Sequence, residues 1–492
     1  MPHDTKSHSQ GWLLIAAYLF GAAVLLLGFE PALFARLDLD AFNNFDLGIY
    51  SRALYLLSWD NLNPWLTNRE TKIFNDHFDP VILLAAPWVK LGDPARVAIV
   101  IEAVVVLATP LSVVWLYRRR AIDAGVAAAA ILYLLLNRGT ISAVEFPVHP
   151  TTWAMLPMSW LGAALMLDRR AQMLAALTLL FACKEEFAFV GVMLTAFLLW
   201  RREWRFAAIV GAWSSIWLLV SLVLRPYWLG EVQHHVANRF VDLSDPAAGL
   251  SQAAGEVNWQ RLFHLVLPLA PLAGWLLYRR QLPNRMLWLL PLPLVMIRFL
   301  ADAWTAHYMA PVVPLWLLGV LPRKNEPVET SNRERLLQIA MVSATAALLM
   351  IVDWGSLGRA IALRTQPAAI AWAPRDPARL ASIARARSYL LQHAEGKALV
   401  QSNLIPRLVE RPELYQVAGS HDPREHEFRY VFVEQPPHGD YWPASREDYE
   451  RLLAEWRSSP EMRVIIDDGQ VFLAEGKFRD LPRRADQRQE AE

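Results

Sequence analysis

Blocks of roughly 15 to 20 mainly apolar residues recur along this chain, from its N-terminal end to about position 352. A helix of that length crosses the ~30 Å hydrocarbon core of a bilayer, because each helical residue adds about 1.5 Å. The eleven segments of this kind lie near 12–29, 97–117, 123–137, 152–167, 172–183, 187–200, 206–224, 259–278, 286–299, 307–321 and 334–352. The sequence therefore predicts a mainly α-helical, polytopic transmembrane bundle of about 11 spans.

The links between these segments fall into two classes that alternate along the chain. The short basic links are 118–120, 168–170, 201–205, 279–285 and 323–335. The other links, longer or richer in His, Pro, aromatic and acidic residues, are 30–96, 138–151, 184–186, 225–258 and 300–306. The apolar segments predict a multi-pass plasma (inner) membrane protein. Because basic links stay on the cytoplasmic side of a membrane, the N-terminus is predicted to be cytoplasmic and the C-terminal domain extracytoplasmic.

The first outer link, 30–96, contains two stretches with the pattern of helices. Residues 47–59 carry apolar side chains at helical spacing, and residues 81–91 are apolar but too short to span a bilayer. Both are predicted to be interfacial helices that lie along the outer membrane surface, a depth that suits Trp59 and Trp88.

The apolar blocks end after residue 352, and charged residues and prolines then recur every few positions. Short strand-like and helical stretches alternate there, and an Asp-Gly pair between two apolar runs signals a hairpin. The sequence predicts a small C-terminal α/β domain on the outer face. The predicted boundaries are a transmembrane domain at 1–352, a linker at 353–371, the α/β domain at 372–480 and a polar tail at 481–492.

Charge and motif content exclude several classes of function. The chain has 48 basic and 47 acidic residues and a net charge of +1, so nothing in it favours a nucleic-acid partner. The single Cys183 excludes an intrachain disulfide and a cysteine metal cluster. The sequence contains neither a phosphate-binding glycine loop nor a dinucleotide-binding fingerprint, so no nucleotide cofactor is expected.

Ionisable residues gather in the links predicted to face outside, and the first is Asp46 in the string NNFDLGIY. This aspartate either caps the first interfacial helix or acts as a general base just outside the membrane. The string NDHFDP adds Asp76, His77 and Asp79. These three either form a turn ahead of the second interfacial helix or contact a substrate or a divalent cation. Their spacing matches no zinc signature, so the metal stays unspecified.

The strings EFPVHP and CKEEF add polar residues on the same predicted side. Glu145 and His149 flank prolines that end a helix, and they are either interfacial residues or part of a cavity. Lys184, Glu185 and Glu186 interrupt an apolar stretch, where a charge costs roughly 2.5–3.5 kcal/mol at the bilayer centre and less near an interface. They form either a tight outward turn or the lining of a cavity, and we favour the cavity.

The last outer link and its flanks place Arg298, His307 and Tyr308 near the outer surface. Arginine and protonated histidine suit an anionic head group such as a phosphate. Each of these residues alone is ordinary for an interfacial loop. Together with the preceding links, they concentrate carboxylates, imidazoles and cations on one side of the membrane, which predicts a substrate-binding site on the outer face.

The strings FDLGIY, DHFDP, EFPVHP and KEE resemble, in order and spacing, those of a family of predicted multi-spanning prokaryotic membrane proteins of unknown function. That family is in turn similar, more distantly, to the fold-C (GT-C) glycosyltransferases. Those polytopic enzymes take a sugar from a polyprenyl phosphate on the outer or lumenal face. The shared features are a long first outer loop with interfacial helices and an acidic residue soon after the first transmembrane helix.

The second resemblance implies an inverting sugar transfer from a polyprenyl-phosphate donor to an acceptor. Asp46 would take the proton of the acceptor, and Lys184, Arg298 and His307 would stabilise the departing lipid phosphate. The implied partner is a membrane lipid that carries the sugar. Two alternatives remain, namely a transporter or flippase for a lipid or small anion, and a non-catalytic membrane scaffold.

Overall fold

The computed structural model describes residues 5–230, 284–300, 306–321, 358, 361–362, 370, 372–422, 425–436 and 438–480. The chain forms two compact units. The helical unit comprises Met1–Glu30, His77–Val81 and Glu102–Leu357, and the mixed unit comprises Pro31–Asp76, Ile82–Ile101 and Gly358–Glu492.

Among the described residues, four helices are long and apolar enough to cross a membrane. They are Gly11–Asp38, Pro94–Arg118, Ala124–Glu145 and Trp204–Leu229, and each overlaps a predicted span. The predicted spans 259–278 and 334–352 lie outside the described residues. The mainly helical membrane architecture is therefore confirmed, whereas the number of about 11 spans stays a prediction.

Short breaks divide these helices and the apolar helices between them. The α-helices before residue 322, outside residues 39–93, are Thr5–Ala23, Glu30–Asp38, Pro94–Ala108, Leu111–Arg118, Ala124–Leu136, Arg138–Glu145, Pro150–Trp153, Met155–Met166, Arg170–Phe181, Ala188–Trp200, Trp204–Leu218, Arg225–Leu229, Arg285–Leu289, Leu292–Leu300 and Val313–Val320. Val24–Phe29 and Leu219–Leu224 are π-helical, and Glu185–Phe187 and Ala306–Met309 are 3₁₀ turns. Local π-helical turns of this kind change the direction of side chains within an otherwise continuous helix.

Residues 39–93 of the first link, which belongs largely to the mixed unit, form only short elements. They are the turn Asn44–Gly48, the helices Ile49–Leu56, Ile73–Asp76 and Ile82–Ala85, the 3₁₀ turn Trp88–Leu91, and the paired strands β1 (Trp65–Leu66) and β2 (Thr71–Lys72). The side chains of Trp59 and Trp88 are 91% and 59% exposed, which suits the membrane interface predicted for them.

The C-terminal part of the mixed unit is a five-stranded sheet between two helices. Its strands are β3 (Ala398–Val400), β4 (Leu414–Gln416), β5 (Phe428–Glu434), β6 (Arg463–Asp467) and β7 (Val471–Phe478), in the order β4-β3-β5-β7-β6. Strand β3 pairs in parallel with β4 and β5, whereas β7 pairs antiparallel with β5 and β6. The hairpin expected at the Asp-Gly pair is the connection between β6 and β7.

Successive side chains along each strand point to opposite faces of this sheet, and both sets are apolar, so a helix covers each face. Val400 and Phe432 pack with helix Pro377–Gln392, and the neighbouring Leu399 and Val431 pack with helix Arg446–Ser458. Successive strand residues point to opposite faces, so the apolar runs supply two cores at once.

Candidate functional site

Asp46 lies in the irregular turn Asn44–Gly48, which follows helix Glu30–Asp38 after a short connection. Its backbone has φ 49° and ψ −72°, a conformation that residues other than glycine rarely adopt. Helix Ile49–Leu56 begins after Gly48, which occupies its N-cap position, so Asp46 is not the cap residue of that helix. Strain of this kind persists only where the surroundings hold the chain, and it is frequent at functional sites.

Buried amide side chains hold the turn that carries Asp46. The backbone N–H of Asn44 donates to Ser402 Oγ at 3.0 Å, and Asn44 Nδ2 donates to Gln416 Oε1 at 2.9 Å. Asn68 Nδ2 donates to Asn44 Oδ1 at 2.6 Å. Three separate stretches of the mixed unit therefore fix the start of this turn, and the strained conformation of Asp46 has a rigid support.

Arg52, one turn into the following helix, ties the same region to the C-terminal segment. Its side chain is 1% exposed, and Nη1 donates to the carbonyl oxygens of Arg411 at 2.6 Å and Val409 at 3.2 Å. Nη2 donates to Thr67 Oγ1 at 2.9 Å. Burial lowers the pKa of Arg52 to about 10, which leaves it charged at neutral pH. Sequence reasoning missed this residue, although it was a lone cation in an apolar stretch.

A second buried network holds Asp40, which precedes the Asp46 turn in the sequence. Arg379 and Glu434 are fully buried and paired, with Nη2 2.9 Å from Oε1. Asn403 Nδ2 donates both to Glu434 Oε1 at 2.6 Å and to the carbonyl oxygen of Asp40 at 2.9 Å, and Arg387 pairs with the Asp40 carboxylate. Burial raises the pKa of Glu434, and the adjoining Arg379 opposes that rise. The network anchors the chain entering the turn to the sheet.

Asp76 belongs to the mixed unit and takes part in a local ion pair. Its Oδ2 lies 3.3 Å from Arg69 Nε, and its side chain is buried. The pair links helix Ile73–Asp76 to the loop before strand β2. A carboxylate paired in this way has a sufficient structural role, and substrate contact by Asp76 stays a prediction.

Glu185 lies at the centre of a cluster in the helical unit. Its Oε2 accepts a hydrogen bond from the backbone N–H of Phe78 at 3.0 Å, and its Oε1 lies 3.5 Å from His77 Nδ1. Burial alone would raise the pKa of Glu185. The hydrogen bond from His77 and the charges of His77, Lys184 and Arg225 outweigh burial and hold that pKa below its usual range. The carboxylate is thus ionised and compensated.

Cations and aromatic rings extend this cluster. Lys184 Nζ lies 5.8 Å from the ring centroid of Tyr308, and the Tyr308 ring lies edge-on to His149 with centroids 6.5 Å apart. The guanidinium of Arg225, 2% exposed, lies 6.0 Å from the ring centroid of Phe78. The predicted site residues that these contacts connect in the helical unit are His77, His149, Lys184, Glu185 and Tyr308.

The remaining predicted site residues are less informative. Asp79 is fully buried, and Glu145 is half-buried at the end of its helix. The backbones of Arg298 and His307 are helical, but their side chains lie outside the described residues. Their predicted contacts with an anionic group therefore stay predictions.

The described residues include no group of three or more His, Cys, Asp or Glu side chains placed to hold a metal ion. Among the described residues, His77 with Glu185 supplies two possible donors. Binding of a divalent cation therefore stays a prediction.

Glu102 is a buried carboxylate that sequence reasoning missed. It lies in helix Pro94–Ala108, is 2% exposed, and its Oε2 accepts hydrogen bonds from three donors. These are the backbone N–H groups of Val148 and His149, both at 2.8 Å, and Trp153 Nε1 at 3.2 Å. The available signal was its position as the single charged residue in the apolar segment 97–117.

Comparison with known proteins agrees with the membrane architecture. The model of a family described as predicted membrane protein (DUF2079) matches residues 37–469. No curated protein matches the sequence. Among solved structures, the crystal structure of ArnT from Cupriavidus metallidurans bound to undecaprenyl phosphate is similar, with a TM-score of 0.55 and 16% sequence identity. The match covers 94% of this chain and 98% of that chain, so the fold is ArnT-like.

Proposed function

The chain belongs to the DUF2079 family of predicted membrane proteins, and on this premise we propose that it is a membrane glycosyltransferase of the fold-C type. It transfers a sugar from a polyprenyl-phosphate donor to an acceptor at the outer membrane face. Asp46 is the general base of the reaction. The partner is a membrane lipid, and the reaction needs no nucleotide cofactor.

The observation that carries this proposal is the likeness to ArnT, a fold-C glycosyltransferase, over 94% of the chain. That structure of ArnT contains undecaprenyl phosphate, which supports a polyprenyl phosphate as the lipid that this chain binds. Since fold alone does not determine function, the proposal also depends on the residues that follow the first apolar helix.

Asp46 has the chemistry that an inverting transfer requires. Its carboxylate removes the proton from the acceptor hydroxyl while the acceptor oxygen attacks the anomeric carbon of the sugar. The bond between that carbon and the phosphate oxygen breaks, and its electron pair leaves with the polyprenyl phosphate. Hydrogen bonds hold the turn that contains Asp46. This supports the role, because a general base must be held in place while the proton moves.

Lys184 and Arg225 stabilise the charge that develops on the departing phosphate. Both side chains are buried in the helical unit, where a cation acts on a nearby anion more strongly than it does in water. Glu185 compensates these cations while no anion is bound. Arg298 and His307 join them in the proposed site on the strength of the sequence pattern alone.

The proposed orientation follows from the charges of the links. Basic links on one side and acidic, imidazole-rich links on the other favour a cytoplasmic N-terminus in the plasma (inner) membrane. In this orientation Asp46 and Lys184 belong to links on the outer side of the membrane, where the protein would use a lipid-linked sugar.

The proposal is tested by turnover of the full-length protein in nanodiscs with a panel of polyprenyl-phosphate sugars. Wild type is expected to release free polyprenyl phosphate. The Asp46→Asn variant keeps the size of the side chain but cannot take the proton, so its rate should fall by about 10²–10⁴-fold. Asp60→Asn, which changes an exposed acid in the same link, is the matched control and should retain the wild-type rate.

Two outcomes would contradict the proposal. An Asp46→Asn variant as fast as wild type would show that Asp46 is not the base. A folded wild type that releases no polyprenyl phosphate with any donor and acceptor of the panel would contradict glycosyl transfer and favour transport of a lipid or small anion.

A further inference from the structure

The turn Phe146–Pro150 in the helical unit has a strained backbone. Val148, between two prolines, has φ 73°, and its side chain is fully buried. Positive φ is a genuine outlier for a β-branched residue, because the branched side chain crowds the backbone. Something outside the turn must therefore hold it in this conformation.

Glu102 is the group that holds the turn. Its Oε2 lies 2.8 Å from the backbone nitrogens of both Val148 and His149, and 3.2 Å from Trp153 Nε1. Two successive backbone N–H groups converge on this one oxygen and form a small concavity that suits an acceptor oxygen. The strained turn and the carboxylate thus depend on each other.

This arrangement sets the direction of the His149 side chain. The His149 ring packs 5.0 Å from the ring of Phe146 and 6.5 Å from that of Tyr308, centroid to centroid. Lys184 Nζ lies over the same Tyr308 ring, at 5.8 Å. A change in φ at Val148 would swing the chain at His149, and the ring would lose its contact with Tyr308.

We propose that Glu102 is a positioning residue, which clamps the Val148–His149 turn so that His149 and Tyr308 keep their places beside Lys184. An apolar side chain would serve helix packing in the membrane equally well, but it would leave three buried donors without an acceptor. A buried carboxylate in a membrane helix is costly, and the three hydrogen bonds that Glu102 accepts offset part of that cost. The consequence for turnover rests on the proposed function, whereas the clamp itself does not.

Hydrogen exchange of the full-length protein in nanodiscs tests the clamp directly. Pro147 and Pro150 carry no amide hydrogen, so a peptic peptide that begins at Phe146 and ends at Pro150 reports only the amides of Val148 and His149. Wild type should protect both. Glu102→Ala should speed their exchange by about tenfold or more, because both lose their acceptor. Peptides from helix Ala124–Leu136 should exchange as in wild type.

Glu102→Gln is the conservative variant that keeps the test informative. The amide oxygen of Gln can accept the same hydrogen bonds, so exchange of the two amides should stay within about threefold of wild type. In the turnover assay, kcat per folded protein should fall by about tenfold or more in Glu102→Ala and recover in Glu102→Gln, since displaced groups next to the phosphate slow the reaction.

The hydrogen-exchange experiment tests the clamp, and the turnover assay tests the proposed function. Unchanged exchange of Val148 and His149 in Glu102→Ala would overturn the clamp, whether or not the protein turns over a donor. Faster exchange throughout the helical unit would overturn it too, because Glu102 would then stabilise the fold in general. If the exchange result is as expected and wild type is inert with every donor, the clamp stands and glycosyl transfer is contradicted.

Discussion

At the residue scale, charged groups in apolar surroundings are the most informative feature of this chain. The sequence marked Lys184 and Glu185 as an interruption of an apolar stretch and favoured a cavity lining for them. It did not supply their partners, because the Phe78 amide that donates to Glu185 is 107 residues distant. Glu102 and Arg52 were missed for the same reason, since a lone charge in an apolar helix does not reveal what it contacts.

The depressed pKa of Glu185 predicts how acid affects the helical unit. A carboxylate whose pKa is lower in the folded state stabilises that state above its unfolded pKa of about 4.3, and this contribution is lost as the pH falls through the folded value. Wild type should therefore be more stable than Glu185→Gln at pH 6, by about 1–3 kcal/mol, and the difference should shrink below about pH 4. The measurement is the midpoint of thermal unfolding in nanodiscs as a function of pH.

Glu203→Gln is the control for this experiment. Glu203 pairs with Arg170 and Arg201, and both arginines are more than half exposed. Such surface pairs contribute about 0–1 kcal/mol, so the control should track wild type at every pH. A Glu185→Gln variant that matched wild type at pH 6 would contradict the ionised, compensated state of this carboxylate.

At the element scale, periodicity identified most helices but not their breaks. The stretch 81–91 was expected to form one interfacial helix, and the structure divides it into Ile82–Ala85 and Trp88–Leu91. Pro87 explains the division, because proline lacks the amide hydrogen that a continuing α-helix needs and disfavours helix at the residue before it. Local chemistry of this kind was available in the sequence.

Close packing of helices predicts a sharp effect at Gly191. A Cβ at this position would lie 2.2 Å from Ser214 Oγ and 2.5 Å from Phe181 Cζ. Gly191→Ala should therefore lower stability by about 1–3 kcal/mol through overpacking, although alanine favours helix. Thermal unfolding of the full-length protein measures this. Gly11→Ala is the matched control, since nothing lies within 4 Å of its Cβ, and equal unfolding midpoints for the two variants would contradict the close approach.

At the scale of the whole molecule, the mixed unit brings together segments that are far apart in the sequence. Patterns of apolar and polar residues do not reveal that these segments are in contact. Asn44 in the first link bonds to Ser402 and Gln416, which are 358 and 372 residues away. Strand and helix patterns report spacing along the chain, so the sequence predicted a helical membrane part and strands near the C-terminus but not these contacts. The domain boundaries drawn from the sequence stay predictions.

The fold is ArnT-like over most of the chain, and we propose that the protein cleaves a lipid-linked sugar rather than carrying it across the membrane. The two activities differ in one bond. Transfer breaks the link between the anomeric carbon and the phosphate, whereas transport leaves the donor whole.

The most direct measurement uses proteoliposomes of the wild-type protein with a polyprenyl-phosphate sugar that carries one label on the sugar and another on the lipid. One free polyprenyl phosphate should appear for each sugar that reaches an acceptor, and the product should have the inverted anomeric configuration. Movement of intact, doubly labelled donor between the leaflets, without release of polyprenyl phosphate, would contradict the proposal.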